Sequence, residues 1–340
     1  MPILKGRRAE FSALCHVDEP VSSILRPLLE VLPDERMSVH GSSLRFAHRL
    51  MDSAPKDMIF AVDCRYLRPD GSGRPLQRVA QAIHEWGITM IPVFSPGDGQ
   101  DPADVRVAAD WHKSGGCLRL DRAHCLSIAA RRDDQIPEVL DAVDLRPTDV
   151  DLVIDLGDVC TRETGQDAAQ LSRTALAWAQ SRGWRSVTLA SGAFPVNISD
   201  LPLGTSTPLP RWDAVLWAEL VGTPIGGQDV GYGDYVVSNP EPSRGFAPLP
   251  NLRYTAKRHW HVYRYPKSPD GGMRTFGDLC LAVMASNHWP AQGKDFSWGD
   301  EQVQLCAHGF KIGNPAMWRA FGISHHLAVV ADRLTTLGEP

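Results

Sequence analysis

Lys5, Glu30, Asp63, Asp121, Asp155 and Ser191 share one local setting: each polar side chain closes a short apolar run. Leu152-Val153-Ile154 stops on Asp155, with Gly157 and Asp158 just beyond, and Ile59-Phe60-Ala61-Val62 stops on Asp63. Leu28-Leu29 stops on Glu30, Ile3-Leu4 on Lys5, and Val187-Thr188-Leu189-Ala190 on Ser191. Strands of a parallel barrel are buried on both faces and carry their chemistry where they end. If these residues share one mouth, neighbouring carboxylates push their pKa values apart, so that one serves as base and another as acid. The same oxygens could instead hold a divalent cation. Lys5 could neutralise the acids, bind a phosphate or form a Schiff base. Catalytic duty is therefore expected of Lys5, Glu30, Asp63 and Asp155. The competing reading has Asp63 and Asp155 capping helices or joining structural ion pairs.

The elements that would position these residues alternate. Strands are expected at Pro2–Lys5, Ile24–Val31, Met58–Asp63, Thr89–Phe94, Cys117–Leu120, Val150–Leu156 and Ser186–Ala190. Pro27 fits badly inside the second and moves its start later. Helices are expected at Glu10–Leu14, Ser42–Asp52, Pro75–Trp86, Asp101–Lys113, Asp133–Val143 and Gly165–Arg182. Such alternation implies parallel pairing with right-handed crossovers. No Gly-x-Gly-x-x-Gly follows the first strand and no Walker A pattern is present, which weakens a nucleotide-binding open sheet. A (β/α)8 barrel needs about 250 residues, and residues 1–256 supply them.

After Ser191 the pattern changes. Pro195–Pro210 and Gly222–Gly233 read as loops, Arg211–Val221 as a helix, and Tyr235–Ser238 as the eighth strand, with Leu252–Tyr254 close by. Lys257–Tyr265 alternates like a two-sided hairpin strand. Helices at Phe276–Ala285, Asp300–His308 and His325–Thr335 complete a hairpin and helical cap over 257–340. The expected fold is thus an α/β, TIM-like barrel with a C-terminal capping extension.

Several of these stretches together resemble the protein beta family, named after a bacteriophage protein and scattered through phages and bacteria. They are Pro2-Ile3-Leu4-Lys5 with Glu10 and Ala13-Leu14, Pro27-Leu28-Leu29-Glu30-Val31, Gly233-Asp234-Tyr235 and Leu252-Arg253-Tyr254-Thr255. Ser286-Asn287-His288-Trp289, Phe296–Glu301 and the pair His325-His326 extend the likeness toward the end of the chain. The resemblance implies phage biology and conflict between phage and host. It brings no catalytic roles.

Further binding residues are drawn from the second half. Ser191 and Asp234 join the mouth. Arg253, Lys257, Arg258 and Arg264, with Tyr254 and Tyr263, could hold phosphates or stack a base; a solvated strand face is the plain alternative. His259 and His261 alternate on one face, a spacing found in metal sites, but Lys257, Arg258 and Arg264 disfavour a cation there. Asn287, His288, Trp289, Trp298, Asp300, Asn314, Trp318, His325 and His326 could line a pocket for a ring or form a cap core. Adjacent residues on a helix point about 100° apart, so only one of His325 and His326 is expected to face the mouth. Ser191-Gly192 lacks the Gly-x-Ser-x-Gly elbow, and no Cys has a recognisable catalytic setting.

Charge and composition narrow the classes. The net charge of -5 argues against a surface that coats nucleic acid. The odd count of seven scattered Cys, without Cys-x-x-Cys, argues for reduced thiols and a cytoplasmic protein. No apolar stretch reaches spanning length, so no membrane partner is expected. The expected function is an enzyme, a hydrolase or lyase, acting on a small anionic or phosphate-containing substrate, a nucleotide or nucleic-acid end. A divalent metal is a candidate cofactor. The alternative is a binding module without turnover that recognises a phage or host protein or a nucleotide signal.

Overall fold

The computed structural model describes residues 1–55, 58–68, 74–221, 230–241, 249–267, 273–310 and 313–340. Its centre is a sheet of eight parallel strands: β1 (Ile3–Leu4), β2 (Leu28–Glu30), β3 (Phe60–Asp63), β4 (Met90–Phe94), β5 (Gly116–Leu120), β6 (Val150–Asp158), β7 (Ser186–Gly192) and, after an excursion, β9 (Val230–Asp234). A parallel bridge from Pro2 to Asp234, with Asp234 N–H donating to Met1 O at 3.2 Å, brings the two edges together. The architecture is the α/β, (β/α)8-type barrel that the alternation predicts.

Helices follow the strands. α1 (Arg8–Leu14) and α2 (Glu19–Ile24) join β1 to β2; α3 (Val39–Ser53), α4 (Pro75–Glu85) and α5 (Pro102–His112) make the next crossovers. α4 shows the logic: Pro75 sits in its first turn, and Leu76, Val79, Ala80 and Ile83 form a buried stripe. Between β5 and β6 there are two helices, α6 (Arg122–Ala129) and α7 (Gln135–Val143). The first is unexpected from the sequence. Asp121 begins it, its carboxylate accepting from Ala123 and His124 N–H. α8 (Arg162–Gln180), opened by the Thr161–Thr164 capping box, leads to β7.

The second half departs from expectation in three places. The end of the Pro195–Pro210 loop is a strand, β8 (Thr205–Pro210), which precedes α9 (Trp212–Val221). The eighth barrel strand is Val230–Asp234, inside the segment read as Gly-rich loop, rather than Tyr235–Ser238; residues 222–229 of that segment lie outside the described residues. Gly233 explains the misreading. A Cβ there would stand 2.8 Å from Ala190 Cβ, so only glycine lets β9 close on β7. Finally, β10 (Asn251–Thr255) and β11 (His259–Arg264) form the expected hairpin, and β11 also pairs with β8. The cap sheet therefore takes β8 and β10 from within 1–256.

The tail contributes α10 (Met273–Met284), α11 (Trp298–Ala307) and α12 (Pro315–Leu337). α12 is much longer than predicted. Asn314 caps it, and Gly338, at φ +68°, ends it. It packs on α1 and β10 and takes the place of a barrel's eighth helix. Trp318, Phe276 and Phe321 form a separate cap core. No helix is long and apolar enough to cross a membrane, among the described residues.

Candidate active site at the barrel mouth

One apolar layer crosses the barrel interior: Ile3, Leu28, Ala61, Val93, Cys117, Val153 and Ala190, one from each of β1 to β7, and Tyr235 just after β9. Side chains alternate along a strand, so residues two positions on return to the same face. Those residues are Lys5, Glu30, Asp63, Ser95, Arg119 and Asp155, with Gly192 on β7, whose missing side chain makes room for Pro240 and Tyr235. The expected mouth residues Lys5, Glu30, Asp63 and Asp155 thus do meet, one layer above the apolar plug.

The sequence reading missed the residue at their centre. Arg119, 2% exposed, reaches across the layer. Its Nη1 donates to Glu30 Oε1 and Asp63 Oδ2, both at 2.8 Å; Nε and Nη2 donate to Asp155 Oδ2 at 2.9 and 2.6 Å. Tyr235 Oη donates to the same Asp155 oxygen at 2.6 Å. Arg65 closes the outer side, with Nε donating to Asp63 Oδ2 at 2.7 Å and Nη2 to Ser95 Oγ at 3.1 Å. Burial alone raises a carboxylate's pKa; at Asp63 Arg65 and Arg119 outweigh it and hold the group below its ordinary range. At Glu30 burial wins and the pKa is raised, despite Arg119, because Asp63 stands close. Glu30 Oε2 has no hydrogen-bond partner among the described residues.

Tyr235 is placed by a strained turn. Val236 has φ +58°, a left-handed conformation rarely adopted by β-branched residues and costing about 1–3 kcal/mol. Asp234 Oδ1 accepts from Val236 N–H at 3.1 Å and holds the turn. The reversal aims Tyr235 into the barrel and the Val237 carbonyl toward Arg253.

Above the layer lies a cationic group. Lys5 Nζ donates to Asn239 O at 2.8 Å. Arg253 donates to Val237 O and lies 4.3 Å over the Phe194 ring. Arg319, from the first turns of α12, and Arg7 are near enough to repel their neighbours. Lys5, Arg253 and Arg319 make no ion pair among the described residues; Glu10 is near all three, and Glu30 acts more strongly still on Lys5. Burial, more than mutual repulsion, drives Arg253 and Arg319 below the ordinary arginine range and Lys5 to about 8. Beside them opens a cavity of about 360 Å³ lined by Lys5, Arg7, Arg8, Arg45, Phe46 and Arg49 among others.

The remaining expected binding residues are elsewhere. Ser191 is one off in phase: Ala190 faces inward, so Ser191 faces out. Asp234 also faces out, where its Oδ2 accepts from Tyr232 Oη at 2.9 Å and faces His326 Nε2 at 2.7 Å. Tyr254 is buried in the cap, donating to Asp300 Oδ1 at 2.5 Å and stacked 3.7 Å from His325. His325 Nδ1 faces Asp300 Oδ2 and Nε2 faces Thr255 O, both at 2.9 Å. His326 Nδ1 meets the side-chain oxygen of the same Thr255, also at 2.9 Å. Neither histidine faces the mouth; together they pin β10 to α12. Arg264 donates to Ser199 O at 2.9 Å and holds a loop. Lys257 and Arg258 line a different cavity of about 540 Å³ with His259, His261, His288 and Arg333. No group of three or more His, Cys, Asp or Glu is arranged to hold a metal ion, among the described residues.

Fold and mouth together define a parallel α/β barrel whose interior acids are clamped by arginine and whose rim is cationic. The Beta protein family model matches residues 1–332, and the chain belongs to that family. No curated protein matches it.

Proposed function

We propose that the barrel mouth binds a small anionic molecule bearing a phosphate, such as a nucleotide or the end of a nucleic acid. The observation that carries this reading is the trio Lys5, Arg253 and Arg319, partly or wholly buried together without ion-pair partners among the described residues. Cations held in that way repel one another and lose hydration. An anion would relieve both costs, and two arginines offer the forked donors that suit phosphate. Asp63 and Asp155 then act indirectly, by fixing Arg119 beneath the ligand.

A binding role without turnover is supported by the same clamp. Asp63 and Asp155 already accept strong hydrogen bonds from Arg119, Arg65 and Tyr235, so neither is free to serve as an open base.

Thermal unfolding with inorganic phosphate and nucleoside phosphates tests the proposal. Phosphate should raise Tm, increasingly with concentration, and less at high salt. Arg319→Ala and Arg253→Ala should lose the shift, whereas Lys257→Ala, in the separate cavity, should keep it. Equal shifts in all four proteins, or none in the wild type, would overturn the reading.

A further inference from the structure

We propose that Lys5 is a nucleophile that forms an iminium with a small aldehyde or ketone carrying a phosphate, and that Glu30 supplies the proton. This deepens the anion-binding reading and rests on it. Lys5 is 4% exposed, yet it lines the 360 Å³ cavity. Its amine makes one hydrogen bond, to a backbone carbonyl, and no ion pair among the described residues. Burial, with Arg7 and Arg319 adding to it and Glu30 and Glu10 opposing it, brings the amine's pKa down to about 8, which enlarges the share of the neutral form that attacks a carbonyl.

Glu30 is its partner on the neighbouring strand. Leu4 pairs with Leu29, so the next residues on the inner face, Lys5 and Glu30, stand side by side. Arg119 holds Glu30 Oε1, while the buried Oε2 has no partner among the described residues. That oxygen is suited to carry a proton, and burial raises the group's pKa in the same sense. Of the other cavity walls, Arg7, Arg8 and Arg49 suit the phosphate end and Phe46 a short carbon body, while Arg45 is already paired with Asp34 at 2.5 Å.

The step balances. The Nζ lone pair forms a bond to the carbonyl carbon, and the C=O π pair moves to oxygen. A proton shifts from nitrogen to that oxygen, giving a carbinolamine. The Glu30 proton then lets the hydroxyl leave as water, and the nitrogen lone pair forms the iminium. Amine, carbonyl and carboxylic acid become iminium, water and carboxylate, with no change of oxidation state.

The test is reductive trapping of the full-length protein with pyridoxal 5′-phosphate and borohydride, followed by peptide mass mapping. Lys5 should be the main adduct, should form faster than with pyridoxal, and should be suppressed by inorganic phosphate. Glu30→Gln should slow trapping by about 100-fold, the contribution of a general acid. Lys5→Arg should abolish that adduct, whereas Lys257→Arg, in the separate cavity, should leave both the adduct and the phosphate-induced rise in Tm unchanged. Adducts spread over exposed lysines such as Lys113, Lys257 and Lys294, with Lys5 unmodified, would overturn the assignment. If phosphate still raises Tm in that case, the anion site stands without the nucleophile; if phosphate has no effect, both readings fall.

Discussion

Two nitrogens of Arg119 converge on one oxygen of Asp155, Nε at 2.9 Å and Nη2 at 2.6 Å, from adjacent strands of the barrel. The third nitrogen is shared by Glu30 and Asp63. One guanidinium thus bridges three buried acids, with Arg65 as a second partner for Asp63. Removing Arg119 while leaving them in place should cost about 3–5 kcal/mol. Arg119→Met is expected to lower stability by that amount in urea unfolding at neutral pH. Conversion of all three acids to amides in the same background should recover part of the loss.

The two carboxylates that share Arg119 Nη1 should answer pH in opposite senses. The folded pKa of Asp63 is depressed, so its contribution is complete above the ordinary aspartate range and is lost as pH falls through the folded value. The folded pKa of Glu30 is raised, so its ionisation is a penalty that grows as pH rises above the ordinary glutamate range. Asp63→Asn should cost about 3 kcal/mol at neutral pH and flatten the acid side of the stability curve. Glu30→Gln should change neutral stability by about 1 kcal/mol or less. Chemical denaturation between pH 3 and pH 8, in steps of about one unit set by ordinary carboxylate pKa values, reads both.

Lys5 gives a third signature in the alkaline range. Its folded pKa, about 8, lies below its unfolded value of 10.5, so between them the unfolded chain holds the extra proton. Stability therefore rises with pH across that window. The difference in unfolding free energy between wild type and Lys5→Met should shift in favour of wild type from pH 8 to pH 10.5. A constant difference would show that Lys5 is not perturbed.

Gly322 fixes how closely α12 approaches the cap sheet. A Cβ there would lie 2.6 Å from Arg253 O, a backbone atom with little freedom to retreat. Gly322→Ala should destabilise the protein by about 1–3 kcal/mol. It should also displace Arg319, three residues away on the same helix, and weaken phosphate binding measured by calorimetry. Gly165, with nothing within 4 Å of its Cβ position, should accept alanine without either effect.

The barrel and most of its mouth were legible because strand ends carry a phase. Ile3 to Lys5, Leu28 to Glu30, Ala61 to Asp63 and Val153 to Asp155 each step by two residues from plug to polar layer. Applied strictly, that step rejects Ser191 and Asp234, which are one residue out, and Asp121, which is in phase but lies two residues beyond the polar layer and caps α6. It also finds Arg119, two after Cys117 and alone within an apolar strand. Chemical type misled where phase would have served. Other features lie beyond local pattern. β9 reads as a loop because its glycines answer to Ala190 and Thr188 on another strand. Arg319 is an unremarkable helix residue until α12 lies against α1.

That last contact has a consequence for synthesis. β1 meets β9 through Pro2 and Asp234, and α1 is covered by α12, so both ends of the chain are needed to finish one barrel. Contacts of such long sequence separation form late and slowly. While the chain emerges from the ribosome, the part of α1 that packs on α12 must wait until the chain has passed Pro315, where that helix begins. Until then the nascent barrel is an open sheet with an uncovered apolar edge, a natural client for chaperones.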